Sequence, residues 1–259
     1  MKKAVLILIV GVIFVLASYA ADTVSSANIV GYVKIDLIPG QYTLAGVNFT
    51  ANGENPTLID ILGTNQLTAS ENYLFADRVS VWNNQTQTYQ YYAMYTDHQF
   101  YPCNTRSEWD NAATPTNPVL PVGTGFWITP ASGATITNEV YLSGDIVTVE
   151  TNAVPLAEGY QMISYPFSSD QSIAMLNTAN LTSNANYLFA DRIAVWEGNH
   201  YQFYGLYTDG NWYPCNNKAE WDNSIEETDR IISIGEGFWF IAQSATPLSE
   251  TNKYLSVIQ

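Results

Sequence analysis

The sequence predicts an all-β protein made of two tandem copies of a small β-sandwich or open-barrel domain with short helical turns. Three observations support this: an internal repeat, short segments in which apolar and polar residues alternate, and many aromatic and turn-forming residues. Phe, Trp and Tyr make up 14% of the 259 residues, whereas charged residues make up only 13%. That mixture is typical of folded all-β proteins and not of disordered acidic tails.

The first residues have the pattern of a secretory signal. Two lysines precede an apolar run from Ala4 to Leu16, and small residues follow at Ser18 and Ala20. A basic head, an apolar stretch and a small-residue cleavage site favour removal of residues 1–21, with an uncleaved anchor as the alternative. The run is short for a membrane span of about 20 residues. We therefore expect a secreted protein, extracellular or at the cell surface.

The chain is strongly acidic. Nine basic residues face 24 acidic ones, which gives a formal net charge of −15 at pH 7. Nucleic acid and anionic lipid would both be repelled by such a surface. We expect no nucleic-acid partner and, after removal of the signal, no membrane partner.

Long stretches of the sequence occur twice. NYLFADRVSVW at 72–82 returns as NYLFADRIAVW at 186–196, and YTDHQFYPCNTRSEWDN at 95–111 returns as YTDGNWYPCNNKAEWDN at 207–223. VGTGFWI from Val122 returns as IGEGFWF from Ile234. Because the order is kept, we predict two copies of one fold, at residues 27–144 and 145–259. No long linker separates them, so a stiff tandem is expected.

Within the first copy, β-branched and aromatic residues recur mostly with a period of two. The segments end at turn residues such as Pro39-Gly40 and Ser132-Gly133. This pattern predicts four of the strands: Ile29 to Ile35, Val79 to Trp82, Tyr89 to Tyr95, and Phe126 to Thr129.

Two helical signals interrupt the strands. TLIDILG, near Leu58, ends at Gly63. Thr105 precedes Glu108 by three residues, which is the spacing of a capping box, and Asn217 and Glu220 repeat it in the second copy. We therefore predict one or two helical turns packed on each β-domain.

Seven tryptophans are present, and six of them form three equivalent pairs across the repeat. Paired placement favours core packing, above all for those that follow the Gly-x-Gly steps. Trp212 is the unpaired one and is matched by Phe100. If any aromatic residues form a sugar platform, we expect Trp212, Tyr101 and Tyr213. Asp97 and Asp209 would be the nearby hydrogen-bond acceptors.

Acidic residues near these aromatics form a candidate calcium set. Calcium takes hard oxygen ligands from neighbouring turns, and a secreted protein meets millimolar calcium. The spacing matches no recognised calcium loop, and turn formation and helix capping are the competing interpretation. No other cofactor is expected. The candidate ligands are Asp97, Glu108 and Asp110 in the first copy, and Asp209, Glu220 and Asp222 in the second.

Catalytic motifs are lacking in the sequence. His98 and His200 occupy different repeat positions, and there is no Gly-x-Ser-x-Gly and no phosphate-binding glycine loop. The repeated Asp-Arg pair, at 77–78 and 191–192, is interpreted as an ion pair or a backbone clamp between strands. We predict that the protein is not an enzyme.

Cys103 and Cys215 are the only cysteines and hold the same repeat position. In an exported chain they could form a disulfide between the repeats, a disulfide between subunits, or two reduced thiols. An internal disulfide needs the two loops to meet near a local two-fold axis, with Cα atoms within about 7 Å. We rank the internal disulfide slightly first.

Asn48, Asn84 and Asn180 begin Asn-x-Ser/Thr sequons. In a chain so rich in Asn and Thr, several matches are expected by chance. They mark possible attachment sites in a host that glycosylates exported proteins.

The segments NIVGY, PGQYTLAGVNF, RVSVWNN and VGTGFW resemble a group of secreted tandem β-domain proteins from Planctomycetes, Verrucomicrobia and Lentisphaera bacteria. The resemblance covers most of the mature chain, although the second copy begins with DIVTVE where the first has NIVGY. It implies this architecture and a surface or extracellular role. That group carries no well-defined activity to transfer.

These observations favour a non-enzymatic structural subunit of an extracellular assembly, such as a filament or a surface layer. A terminal strand, Ser26 to Ile35 or Tyr254 to Gln259, could complete a neighbour's sheet in a homo-oligomer built through strand or aromatic contacts. The alternative is a secreted carbohydrate-binding or adhesive module that uses exposed aromatic rings, with glycans as partners.

Overall fold

The computed structural model describes residues 29–224 and 226–252. The predicted signal at 1–21 and the predicted strand at Tyr254 to Gln259 lie outside these residues. The described chain consists mainly of antiparallel strands, which confirms the all-β class.

The first half of the chain forms a five-stranded sheet and a three-stranded sheet. Its elements are β1 Val30–Leu37, β2 Thr43–Gly46, β3 Phe49–Thr50, α1 Leu58–Leu62, a 3-10 turn Tyr73–Phe75, β4 Arg78–Asn83, β5 Thr88–Met94, β6 Phe100–Pro102, α2 Arg106–Asn111, β7 Gly125–Thr129 and β8 Asn138–Ile146. The large sheet has the order β2-β7-β4-β5-β6, and the small one has the order β1-β8-β3.

The second half repeats this plan. Its elements are β9 Thr151–Leu156, β10 Gly159–Ser164, β11 Gln171–Ser172, a 3-10 turn Ile173–Met175, a 3-10 turn Tyr187–Phe189, β12 Arg192–Trp196, β13 Tyr201–Leu206, β14 Trp212–Pro214, α3 Lys218–Asn223, β15 Ile231–Ile232, β16 Gly237–Ala242 and β17 Thr246–Thr251. The large sheet has the order β10-β16-β12-β13-β14, and β17 pairs with β9 as β8 pairs with β1. The second half differs in that this small sheet has two strands and that β11 and β15 form a further two-stranded sheet.

Each half has its own core. Side chains alternate along a strand, so one face of each large sheet is apolar and packs toward the small sheet. Val79 and Phe126 share such a core with Leu142 of β8, and Ile193 and Phe238 share the other with Leu248 of β17. Of the two predicted alternatives, a β-sandwich and an open barrel, this arrangement corresponds to the β-sandwich.

Helix α1 forms where its caps predict it. The Thr57 hydroxyl accepts from the Asp60 backbone N–H, and the Asp60 carboxylate accepts from the Thr57 N–H. Gly63, at φ 65°, ends the helix in a conformation that favours glycine. The end of α1 at Gly63 was predicted from the sequence, and the capping box at its start is a finding of the structure.

The two halves contact each other reciprocally. Gly46 N donates to Gly235 O at 2.8 Å, and the equivalent Ser164 N donates to Gly123 O at 2.8 Å. A contact that recurs with the halves exchanged indicates an approximate local two-fold axis. The halves therefore face each other through β2, β7, β10 and β16 and do not stack head to tail.

Glycines permit this close approach. A Cβ atom on Gly125 would lie 2.7 Å from the Ile163 carbonyl oxygen of the other half. A Cβ atom on the equivalent Gly237 would be even closer to the Ala45 carbonyl oxygen. The second glycine of each Gly-x-Gly step is thus required by contact between backbones.

None of the helices within 29–224 and 226–252 is long and apolar enough to cross a membrane.

Candidate ligand-binding sites

Trp212 is not the sugar platform that the sequence suggested. Its side chain is 0% exposed and packs edge-on against Phe240, with ring centroids 6.3 Å apart. Phe100, at the same position of the first half, is equally buried. In each three-residue strand the first residue points into the core and the following tyrosine points outward, so Trp212 cannot stack on a ligand from solvent.

The other candidate residues of that set do meet. Tyr101 donates its hydroxyl to Asp97 Oδ2 at 2.9 Å, and Tyr213 donates to Asp209 Oδ2 at 2.9 Å. These bonds raise the pKa of both phenols above the usual value of 10.0. The two tyrosines therefore stay protonated, with their rings held in fixed orientations.

Each of these tyrosines lines a cavity of about 410 Å³. We name the first-half cavity the YW1 pocket and the second-half cavity the YW2 pocket. The YW1 pocket is lined by Glu71, Tyr95, Tyr101, Trp109, Asp110 and Ala112. The YW2 pocket is lined by Ala185, Tyr207, Asp209, Tyr213, Trp221, Asp222 and Ser224.

The proposed calcium ligands serve as caps and ion-pair partners. Thr105 accepts from the Glu108 N–H at the start of α2, and the Glu108 carboxylate accepts from Asn104 N at 2.7 Å. At α3, Asn217 and Glu220 repeat this arrangement. The N-cap bond is therefore confirmed in both halves, whereas the second bond of a capping box is displaced by one residue, to Asn104 and Asn216.

The remaining carboxylates of that set have partners of their own. Asp110 pairs with Arg106 at 3.0 Å, and Asp222 pairs with Lys218 at 2.8 Å. Within the described ranges, no three His, Cys, Asp or Glu side chains are grouped so as to hold a metal ion. Calcium binding stays an untested prediction.

A larger cavity, of about 620 Å³, contains residues from both halves, and we name it the aromatic groove. The residues of its lining that are not aromatic are Leu74, Arg78, Ser80, Cys103, Asn104 and Thr129. Seven aromatic side chains line it: Tyr42, Tyr73, Tyr89, Tyr91 and Trp127 from the first half, and Trp196 and Tyr201 from the second.

The indole rings of the aromatic groove are fixed by their own contacts. Trp127 and Trp196 meet edge to face, with centroids 5.5 Å apart and planes at 88°. Trp127 Nε1 donates to Tyr89 Oη at 3.1 Å, and Trp196 Nε1 donates to Tyr42 O at 3.0 Å. Both indole N–H groups are thus used within the protein, and the groove is preorganised.

Polar side chains stand between these rings. Ser80 of β4 lies opposite Trp127 on one neighbouring strand and Tyr91 on the other, and Arg78 lies opposite Thr129. Because side chains two residues apart share a face, Arg78 and Ser80 point away from the core that contains Val79.

Arg78 has no carboxylate partner among residues 29–224 and 226–252. Of the six basic residues in the described chain, four form ion pairs, and the exceptions are Arg78 and its repeat equivalent Arg192. Arg78 Nε is also buried without a hydrogen-bond partner among the described residues. Arg192 Nε is buried in the same way, so the donors of Arg78 that can reach a ligand in the aromatic groove are the terminal nitrogens of its guanidinium.

The Asp of each Asp-Arg pair is a backbone clamp. Asp77 accepts from Thr68 N and from Ala131 N, both at 2.7 Å. Asp191 makes the same two bonds in the second half. The aspartates are therefore backbone clamps, but they join residues outside the strands and not the strands themselves. The ion-pair interpretation is wrong for the described chain.

The cysteines are free and buried, so the internal disulfide ranked first is not formed. The halves meet at β2, β7, β10 and β16, whereas each cysteine follows β6 or β14 at the far edge of its sheet. Strands are spaced by about 4.8 Å, which keeps the two loops far from the two-fold axis. Burial raises the pKa of Cys103 and of Cys215 to about 12.

Asn48 is structural. It is 1% exposed, and its amide donates to Tyr165 O at 2.5 Å while its oxygen accepts from Gly235 N at 2.8 Å. A glycan on this nitrogen would require the contact between the halves to open. Asn180, by contrast, is exposed.

The aromatic groove was missed by sequence reasoning because it combines strands from both halves. One local signal was present: Arg78, Ser80 and Trp82 alternate with apolar residues on a single strand. Val79 faces the core, and Arg78 and Ser80 on the opposite face line the groove.

Comparison of the chain with protein-family models, with curated proteins and with solved structures finds no match.

Proposed function

We propose that the protein is a secreted, non-enzymatic glycan-binding protein whose ligand lies in the aromatic groove. The observation that supports this most directly is the combination of seven aromatic side chains with hydroxyl and guanidinium groups in one cavity of about 620 Å³. That volume is within the range of small-ligand sites, about 300–1,000 Å³.

The chemistry of the groove suits a saccharide. Aromatic faces stack on the C–H groups of a sugar ring, and Tyr42 and Tyr91 are the most exposed rings of the set. Thr129 and Arg78 are partly exposed and can exchange hydrogen bonds with sugar hydroxyls, whereas Ser80, only 4% exposed, lies at the floor of the groove between them. Tyr89 holds its proton, since burial raises the pKa of its phenol to about 12.

The ligand we propose is a neutral glycan. The net charge of −15 opposes the approach of polyanions such as sulfated or uronate-rich chains. A neutral sugar meets no such barrier, and a single arginine can hydrogen-bond to its ring and hydroxyl oxygens.

The repeat provides an internal comparison. Where the first half has Ser80, Tyr91 and Thr129, the second half has Ala194, Phe203 and Ile241. The same sheet therefore folds without these three hydroxyls. Their presence in one copy supports a binding role for them.

The test is a glycan array followed by calorimetric titration of the mature protein. A variant carrying Ser80→Ala, Tyr91→Phe and Thr129→Ile introduces only residues that the second half already accommodates, and we expect affinity to fall at least tenfold. The control carries Ala194→Ser and Phe203→Tyr and should leave affinity unchanged. An array without binding, or equal affinity for both variants, would refute the proposal.

A second candidate function, an assembly subunit, is favoured by one specific observation. Strand β1 lies at the edge of its sheet, and Val30 and Tyr32 on it are 66% and 73% exposed. An exposed apolar edge can pair with a strand of another copy. Electron microscopy at high protein concentration should then show filaments or sheets that Tyr32→Lys abolishes. Monodisperse monomers of the unaltered protein would exclude this role.

A further inference from the structure

We infer that the YW1 and YW2 pockets are a pair of equivalent sites for small organic ammonium cations. Each half places two tyrosines and one tryptophan around a cavity of about 410 Å³, at the same repeat positions. This inference is independent of the glycan groove, with which the two pockets share no lining residue.

The rings of the YW1 pocket are steeply inclined to one another. Tyr95 and Tyr101 have centroids 5.6 Å apart with planes at 68°, and Tyr95 and Trp109 have centroids 5.6 Å apart at 58°. Tyr101 and Trp109 complete the set at 6.3 Å and 82°. Trp109 and its equivalent Trp221 are only 7% exposed, so their indole rings form the inner wall of each pocket. The more exposed tyrosine rings, inclined in this way, can present their electron-rich faces to a bound cation in front of that wall.

The YW2 pocket repeats this geometry. Tyr207 and Tyr213 have centroids 5.9 Å apart at 82°, and Tyr207 and Trp221 have centroids 5.5 Å apart at 62°. The segment between 207 and 223 differs from its counterpart at several other positions, yet these three rings are identical in kind. The two pockets are therefore formed by three aromatic residues of the same types at equivalent positions of the repeat.

Two rings of each pocket donate a hydrogen bond to the protein. Trp109 Nε1 donates to Glu71 O at 2.9 Å, and Trp221 Nε1 donates to Ala185 O at 2.8 Å. Tyr101 and Tyr213 donate to Asp97 and to an equivalent aspartate, as described above. The rings are fixed by these bonds before any ligand arrives, which reduces the entropy lost on binding.

The charge around the pockets selects a cation. Glu71 and Asp110 line the YW1 pocket, and Asp209 and Asp222 line the YW2 pocket. Arg106 and Lys218 pair with Asp110 and Asp222, so Glu71 and Asp209 are the lining carboxylates that have no basic partner among the described residues. The net charge of −15 further raises the local concentration of cations. An alkylammonium group combines the positive charge and the apolar surface that such a pocket requires.

The experiment uses the full mature chain and two probes of the same shape. Choline carries a quaternary ammonium group, and 3,3-dimethylbutan-1-ol is its neutral isostere. Titration followed by tryptophan fluorescence and calorimetry should give two choline sites per chain, with at least tenfold weaker binding of the alcohol and weaker choline binding at high salt. Equal binding of both probes, or no choline binding, would overturn the inference.

Variants of the YW2 pocket test whether choline binds there. Tyr207 is exposed, so Tyr207→Leu removes a ring face of the YW2 pocket without opening the core, and we expect the stoichiometry to fall from two to one. Tyr207→Phe, which keeps the ring, should retain both sites. Asp222→Asn should weaken the second site several-fold without abolishing it. Two undiminished sites in Tyr207→Leu would show that choline binds elsewhere and would refute the assignment.

Discussion

The indole N–H of Trp82 donates to the carbonyl oxygen of Tyr160 at 2.9 Å and so joins the first half of the chain to the second. Trp196 and Tyr42 form the same bond in the opposite direction at 3.0 Å. The duplicated segment that ends in tryptophan therefore contributes to the contact between the halves, and each copy needs its own tryptophan to bind the other.

Replacing either tryptophan by phenylalanine should weaken that contact. Trp82→Phe or Trp196→Phe removes one hydrogen bond and part of a ring that packs on another tryptophan. We expect each change to lower the free energy of unfolding by about 1–2 kcal/mol, measured by urea denaturation. Tyr32→Phe, at an exposed position, is the control and should stay within about 0.5 kcal/mol. Tryptophan variants as stable as this control would contradict the reciprocal contact.

The glycines at the contact predict a steric effect. Gly125→Ala places a Cβ atom against the Ile163 carbonyl oxygen of the other half, and Gly237→Ala does the same against Ala45. Because backbone cannot rotate away as a side chain can, each change should destabilise the protein by about 2 kcal/mol or more.

The control for these variants is Gly198→Ala. Gly198 has φ +84° and no atom within 4 Å of its added Cβ, so the change introduces only backbone strain, about 1 kcal/mol. In thermal denaturation, Gly125→Ala and Gly237→Ala should both have a lower melting temperature than Gly198→Ala. A smaller effect at Gly125 than at Gly198 would mean that the halves are not in contact there.

The clamp aspartates predict a hydrogen-bonding effect. Asp191 accepts two backbone N–H groups, from Thr182 and Gln243, with one oxygen for each. In Asp191→Asn one of those N–H groups faces an amide donor and loses its bond. We expect a loss of about 1–3 kcal/mol in the free energy of unfolding, and the same for Asp77→Asn. Asp229→Asn is an exposed control, and equal stability of all three variants would disprove the clamp.

Local features of the fold could be predicted from the sequence. The end of α1 at Gly63 depends on residues a few positions apart, and the strands around Val79 and Phe126 follow from period-two alternation. Because the sequence repeats, the same elements could be predicted in the second half, where the order of the large sheet is the same.

Non-local features could not be predicted. Trp212 lies in a strand of three residues, too short for alternation to reveal which face is buried. The aromatic groove needs Trp127 and Trp196 from opposite halves, and their proximity follows from a packing that no local pattern encodes. The prediction for the cysteines failed for the same reason, since it assumed that the loops, and not the sheet edges at β2 and β10, meet at the axis.

The thiols provide the last prediction. Burial raises the pKa of Cys103 and Cys215 to about 12, compared with about 8.5 for an exposed thiol. At pH 8 the folded protein should therefore hold both thiols protonated, and alkylation by iodoacetamide should be slow because the thiolate is the reactive form. Unfolding in guanidinium removes the burial, lowers both pKa values and should allow two alkylations per chain. Mass spectrometry before and after unfolding measures this directly. A native mass lower by two hydrogens, or a disulfide-linked dimer on a non-reducing gel, would mean that the thiols pair and that the free, buried arrangement is wrong.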